Sequence, residues 1–182
     1  NAQTIEIVEQ RYPYTGEANV RVKLAILDVD NLKTKWVNLG EATDIYLPRV
    51  QWLPNAKQLS YQLQSRDQQT LQLFFTNLNG QSELILTETS KTWINLHKDL
   101  YFLTSCNFIW ASERNGYKHL YLYNDTGDLI QQITDGHWVV DTIEAVNESI
   151  NSIYYSGTYD SATEKNLYSS PISSKSIHEP QR

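Results

Sequence analysis

The chain has 182 residues, 40% of them hydrophobic and 12% aromatic, with 12 Tyr, 5 Trp, no Met and a formal net charge of −6. That content suits a packed domain rather than a disordered segment, and the acidic balance argues against partners such as nucleic acid or an anionic membrane surface, which need a basic stripe. No run approaches the ~18 apolar residues of a membrane-spanning helix, and the single Cys106 can form no internal disulfide, so redox compartment is not readable from it.

The chain begins NAQTIEIVEQ, with neither a charged n-region nor an apolar h-region. Asn1-Ala2 is expected to be a tag remnant, and the whole a piece from the middle of a longer protein. Residues 3–19 form a linking segment that contains an alternating stretch, IEIVEQ. From there, period-two alternation between turn signals marks strands in succession. VKLAILDVDN (22–31), LQLFFTNLNG (71–80), HLYLYNDTG (119–127) and NLYSSPISS (166–174) each run into a polar segment. The strand of residues 119–123 alternates His119, Tyr121 and Tyr123 with Leu120 and Leu122, which predicts a half-buried strand.

The four segments are copies of one unit. Asp30, Asn79 and Thr126 stand 49 and 47 residues apart, and Leu120 and Leu167 again 47. QLSYQLQSRD (58–67), FIWASERNG (108–116) and SIYYSGTYD (152–160) precede the later three, and short strands such as SELILTE (82–88) and LIQQITDG (129–136) follow them. Four short strands per unit near this period predict blades of a β-propeller, since solenoids of that period are helical and no helical periodicity is present. A β-sandwich is the alternative, but it has no reason to repeat its sequence at fixed spacing. The fold expected is all-β, about three and a half four-stranded antiparallel blades of a larger ring. Residues 20–40 form the second half of a blade, 41–90 and 91–138 complete blades, 139–175 a partial blade and 176–182 a tail. Leu71, Leu73, Phe75, Trp110, Leu120 and Leu122 are expected in the packing. At the two cut ends, Val22, Leu24, Ile26, Ile153 and Tyr155 are expected to form exposed apolar faces that drive self-association, with residues 3–10 as the donated strand.

No catalytic machinery is identifiable. Gly80-Gln-Ser-Glu-Leu departs from the nucleophile elbow G-x-S-x-G at its fifth position and sits in a hairpin. The four His (97, 119, 137 and 178) lack ligand spacing, H-E-x-x-H is absent, and no cofactor or metal is expected. DVDN (28–31) and NDTGD (124–128) superficially resemble calcium loops, but Asx turns explain them better. The sequons at Asn124 and Asn147 read as chance matches in an Asn-rich chain. Cys106 reads as a buried, inert thiol, and the aromatics as packing between blades rather than a ligand platform.

Three segments go beyond a generic propeller: RYPYTGEANVRVKLAILDVD (11–30), TWINLHKDLYFL (92–103) running into FIWASERNGYKHLYLY (108–123), and ITDGHWVV (133–140). In this order they resemble the propeller domain of the dipeptidyl peptidase IV family of prolyl-oligopeptidase-type serine peptidases, bacterial members most closely, over about residues 5–175. The resemblance implies a periplasmic, secreted or membrane-anchored hydrolase that removes X-Pro or X-Ala dipeptides from peptide N-termini. In it a downstream α/β-hydrolase domain carries the Ser-Asp-His triad, and an eight-bladed propeller, of which this chain would be an arc, gates access and lines part of the substrate pocket. The family's triad and its amine-gripping Glu pair fall outside this chain, so no catalytic residue is expected within it.

One pocket element is implied here. The family's loop after a Gly-Trp or Thr-Trp pair approaches the substrate, and here it reads Asn95-Leu96-His97-Lys98, a departure from the Phe-Arg that some members carry. Asn95, His97 and Lys98 are therefore the candidate residues of the substrate-pocket edge. The alternative leaves Lys98 as a solvated turn charge and His97 as a surface residue. Residues 3–16 resemble the returning strand of the family's dimerisation arm, which implies a homodimer of the parent protein. The partners implied are the hydrolase domain and a peptide substrate, with no nucleic acid and no indicated membrane contact. An interaction propeller without a hydrolase domain, or a TolB-like periplasmic scaffold, are the non-enzymatic alternatives.

Overall fold

In three hairpins an Asx side chain folds back on its own turn. Asp28 Oδ1 accepts from the Asp30 amide at 3.0 Å, Asn77 Oδ1 from the Asn79 amide at 2.9 Å, and Asn124 Oδ1 from the Thr126 amide at 3.1 Å. The first and third are the Asx turns expected at the two acidic loops, and all three set the strand pairings on either side. The computed structural model of the protein describes residues 13–182 except 15, 42, 175 and 176.

The described residues form strands in four antiparallel sheets that follow one another along the chain, with one short 3-10 turn and no α-helix. Sheet I is the hairpin β1 (Ala25–Asp28) and β2 (Lys33–Trp36). Sheet II holds β3 (Ile45–Tyr46), β4 (Val50–Trp52), β5 (Gln58–Ser65), β6 (Thr70–Asn77) and β7 (Ser82–Thr89). Both β3 and β4 pair with β5, so they act as one inner strand interrupted at residues 47–49. Pro48 lies at the break, where it has no N–H to give the ladder. Sheet III runs β11-β10-β9-β8 from β8 (Leu100–Phe102), β9 (Phe108–Ser112), β10 (His119–Tyr123) and β11 (Leu129–Gln132). Sheet IV orders β12 (Val140–Asn147), β13 (Ser152–Gly157) and β14 (Asn166–Pro171), with Gln181 bridged to Ser169 beyond β14.

Strands β1, β6, β10 and β14 are thus the four copies of the repeated motif: β6, β10 and β14 follow the second strand of their sheets, and β1 pairs with β2 as β6 does with β7 and β10 with β11. The sheets stack face to face in chain order. Val22, Leu24 and Ile26 pack with Tyr61 and Leu63 between sheets I and II. Leu71, Leu73 and Phe75 meet Phe102, Phe108 and Trp110 between sheets II and III. Ile109, Leu120 and Leu122 meet Val140, Ile153 and Tyr155 between sheets III and IV. Each fully buried Leu, Ile, Val or Phe among them contributes roughly 1.5–3 kcal/mol by leaving water, and the half-buried Val22, Leu24 and Ile26 contribute less.

Glycine at two hairpin tips permits this approach. A β-carbon on Gly127 would lie 2.1 Å from the Ile85 carbonyl oxygen of sheet II, and one on Gly80 2.6 Å from that of Trp36 in sheet I. Both glycines have positive φ, +90° and +81°.

Four expectations are corrected. Strand β10 is not half-buried: all five of its residues are buried, because sheets II and IV cover both faces of sheet III. Ile153 and Tyr155 are fully buried because they lie on the face of sheet IV that packs on sheet III, and Val22, Leu24 and Ile26 are half-buried against sheet II. The open apolar face of sheet I belongs instead to Leu27 and Trp36, 53% and 64% exposed. Cys106 is half-buried, not buried, and holds a left-handed turn position at φ 67°. Residues 3–10, expected as a donated strand, lie outside the described residues.

Candidate functional site

Strands in each sheet alternate in direction, so the connection from one sheet to the next and the hairpin between that next sheet's second and third strands emerge at the same end. Between sheets II and III these are residues 90–99 and the β9–β10 turn, residues 113–118. A cavity of about 490 Å³ lies between them, lined also by the end of β7. The connecting segment is anchored on sheet II: the Ile94 amide donates to the Gln68 carbonyl at 2.8 Å, and Gln64 Nε2 donates to the Ile94 carbonyl at 3.2 Å. The hairpin closes through the Gly116 amide on the Glu113 carbonyl at 2.8 Å.

One wall is a locked charge cluster. Glu88 Oε1, at the end of β7, accepts from Trp110 Nε1 and from Arg114 Nη2, both at 3.0 Å. Arg114 also donates from Nε to Ser112 Oγ at 2.9 Å and lies over the Tyr121 ring, 4.2 Å from its centre. Burial opposes the Arg114 charge, but the Tyr123 hydroxyl and Glu88 outweigh it and hold its pKa above the ordinary value. The opposite wall carries Trp93, Asn95 and Leu96. Asn95 Oδ1 accepts from Trp93 Nε1 at 3.1 Å, while Asn95 Nδ2 donates to both Glu113 carboxylate oxygens at 2.9 and 3.2 Å.

At the base, His97 stands edge-on to Trp110, ring centres 5.0 Å apart. Its Nδ1 accepts from the Asp99 amide at 3.2 Å. Burial first, and then the Lys118 charge, lower its pKa to about 4, so the ring is neutral at pH 7. Beneath it, the Asp99 side chain is 3% exposed and is paired with Lys118. Asp99 also accepts from Thr142 Oγ1 and the Ile143 amide of sheet IV, both at 2.9 Å. Burial alone would raise the Asp99 carboxyl, but the Lys118 and Ile143 hydrogen bonds overcome it and hold the pKa below the usual carboxylate range.

Asn95 and His97 therefore share the cavity, whereas Lys98 does not reach it. Lys98 is exposed and borders a separate small cleft with Arg49 and Gln62. His97 is not the surface residue of the alternative reading, because the connecting segment presses its ring onto Trp110. Sequence reasoning missed Glu88, Trp93, Glu113 and Arg114 as cavity residues. The signal was present: once β9 and β10 are recognised as a hairpin, strand alternation puts Glu113 and Arg114 at the end where Trp93–His97 cross. Two groups that could serve chemistry are already engaged: the Ser112 hydroxyl receives the Arg114 guanidinium, and His97 Nδ1 accepts from the Asp99 amide.

Over residues 1–181 the chain matches the family described as dipeptidyl peptidase IV (DPP IV) N-terminal region. It belongs to that family. Among solved structures, dipeptidyl peptidase 4 of Porphyromonas gingivalis superposes with a TM-score of 0.82 at 28% identity, covering 87% of this chain and 23% of that one. An Aspergillus flavus protein named probable dipeptidyl peptidase 4 is 25% identical over 87% of the chain. Dipeptidyl peptidase 4 of Trichophyton rubrum is 23% identical over 89% of it. The chain spans 22% of the length of each of these two relatives. The four stacked sheets are accordingly a partial propeller of this family. No helix among the described residues is long and apolar enough to cross a membrane.

Proposed function

We propose that this chain is a non-catalytic arc of the gating propeller of a dipeptidyl peptidase IV-like serine peptidase. The parent protein removes X-Pro or X-Ala dipeptides from peptide N-termini by means of a downstream α/β-hydrolase domain. It works as a homodimer in the periplasm or outside the cell. The observation that carries this reading is the cavity between sheets II and III, which opens beside the loop that the family directs at substrate and includes Asn95 and His97. In the parent protein the chain's task is to position and admit peptide, with Asn95 and His97 in the cavity and Lys98 outside it along the edge of the substrate path.

The test compares two proteins on X-Pro chromogenic substrates. The parent-length protein is expected to release dipeptides, with serine-directed covalent inhibitors abolishing turnover, and this chain alone is expected to release none. Replacing residues 93–98 by a Gly-Ser loop in the parent-length protein is expected to raise KM more than it lowers kcat. A parent-length protein without dipeptidase activity, or inhibitor-sensitive turnover by this chain alone, would overturn the reading.

A further inference from the structure

Four charged side chains line the cavity between sheets II and III, and three of them are neutralised in place. Arg114 is paired with Glu88 at 3.0 Å, and Lys118 with Asp99. Glu113 has no cationic partner among the described residues. Its carboxylate oxygens accept side-chain hydrogen bonds from the uncharged Asn95 alone, at 2.9 and 3.2 Å. The same Asn95 amide holds the Trp93 indole through Nε1 at 3.1 Å. Trp93 is nevertheless 59% exposed, and neighbouring Leu96 42%. One amide thus fixes an open aromatic face beside an uncompensated carboxylate, on the wall of a cavity of about 490 Å³.

From this arrangement we infer that the cavity binds a basic side chain of the peptide, lysine or arginine, with its alkyl stem along Trp93 and Leu96 and its charge against Glu113. The inference rests on the peptide-binding reading above and adds to it a preference for one class of sequence. Cations are attracted both by the electron-rich face of an indole and by a carboxylate, so the two features select the same charge. An anionic ligand meets no free cation here, since Arg114 and Lys118 are already engaged. A metal ion would need more ligands than one carboxylate. The volume exceeds that of a small amine and accommodates a long stem.

The experiment uses the parent-length protein and short Gly-Pro peptides in which one lysine is walked along a glycine background, each with a norleucine twin of the same length. KM and kcat are measured for every peptide, and the same peptides are titrated calorimetrically. At one peptide position the lysine form is expected to bind about tenfold better than its norleucine twin. Glu113→Gln should remove that difference, the lysine peptide losing more than its norleucine twin. Trp93→Leu should reduce it, Glu113→Asp should retain most of it, and added salt should weaken it. Equal binding of the twins at every position, or an equal loss for both in Glu113→Gln, would overturn the inference. So would a preference that tracks the peptide's free amine and disappears on N-acetylation. A protein that shows the calorimetric preference without dipeptide release refutes the peptidase reading and leaves the cation site standing. Dipeptide release without lysine preference does the reverse.

Discussion

Glu148 in sheet IV holds Thr104 in sheet III: its Oε1 accepts the Thr104 amide at 2.9 Å and the Thr104 hydroxyl at 2.8 Å. Both residues lie in the turn between the first and second strands of their sheets, so one carboxylate ties two equivalent turns together. Removing it should loosen the contact between the sheets. Glu148→Ala is expected to destabilise the protein by about 1 kcal/mol, the lower end for bonds to a charged group because the site is exposed. Chemical denaturation checks this. Thr104→Ala removes only the hydroxyl bond and leaves the one from the amide, so it should cost less than Glu148→Ala, and adding it to Glu148→Ala should cost little more than Glu148→Ala alone.

Two turns of this kind carry residues ill-suited to their backbone. Ala56 and Cys106 have φ of 53° and 67°, the left-handed region where a β-carbon crowds the backbone. Glycine at either position relieves that strain but gives the unfolded chain more freedom. The balance predicts Ala56→Gly and Cys106→Gly to be stabilising, each by about 0.5 kcal/mol. Melting temperatures of the two variants test the sign.

The converse substitution is expected to be harmful where sheets meet. Gly127→Ala places a β-carbon 2.1 Å from the Ile85 carbonyl oxygen while retaining a φ of +90°. Neither atom belongs to a flexible side chain, so the hairpin must lift from sheet II. A loss of roughly 2 kcal/mol or more is expected. Gly116→Ala meets nothing within 4 Å and bears only the cost of its +90° φ. Its measured loss should therefore be the smaller of the two.

His97 makes stability depend on pH. Its pKa falls from 6.5 to about 4 on folding, so the unfolded chain binds the proton more readily than the native one. Its contribution is complete above pH 6.5, declines by up to about 1.4 kcal/mol per pH unit as pH falls toward 4, and is constant below that. Burial likewise lowers the His119 pKa, and this adds to the decline in the same direction. His97→Phe, which keeps a ring against Trp110, should flatten part of the curve between pH 6.5 and 4 in denaturation series at fixed salt.

Asp99 acts at more acidic pH. Its folded pKa is lowered, so its contribution is present above its unfolded value of about 3.9 and is lost as pH falls through the folded one. Asp99→Asn is expected to be less stable than the native chain at pH 7 and to converge on it in acid. A constant difference across that range would mean that the Lys118 pair contributes nothing through charge.

Strand positions, hairpin turns and the repeat of sheets along the chain are legible in the amino-acid order because their causes are local. Alternation in LQLFFTN and HLYLY, and the Asx turns at Asp28, Asn77 and Asn124, act within a few residues. The fate of each face was decided elsewhere. Tyr121, Tyr123 and His119 look like the outward row of a half-buried strand, yet they are buried because sheets II and IV cover sheet III on both sides. His119 is satisfied there by the Thr134 hydroxyl at 3.0 Å and the Gly136 carbonyl at 2.9 Å. The cavity belongs to the same class. Asn95 was readable as a pocket-edge candidate, but its bond to Glu113, 18 residues away, exists only once two sheets have stacked and brought their loops to one end. Burial and side-chain contact are properties of the surfaces that meet, and in this chain those surfaces come from different repeats.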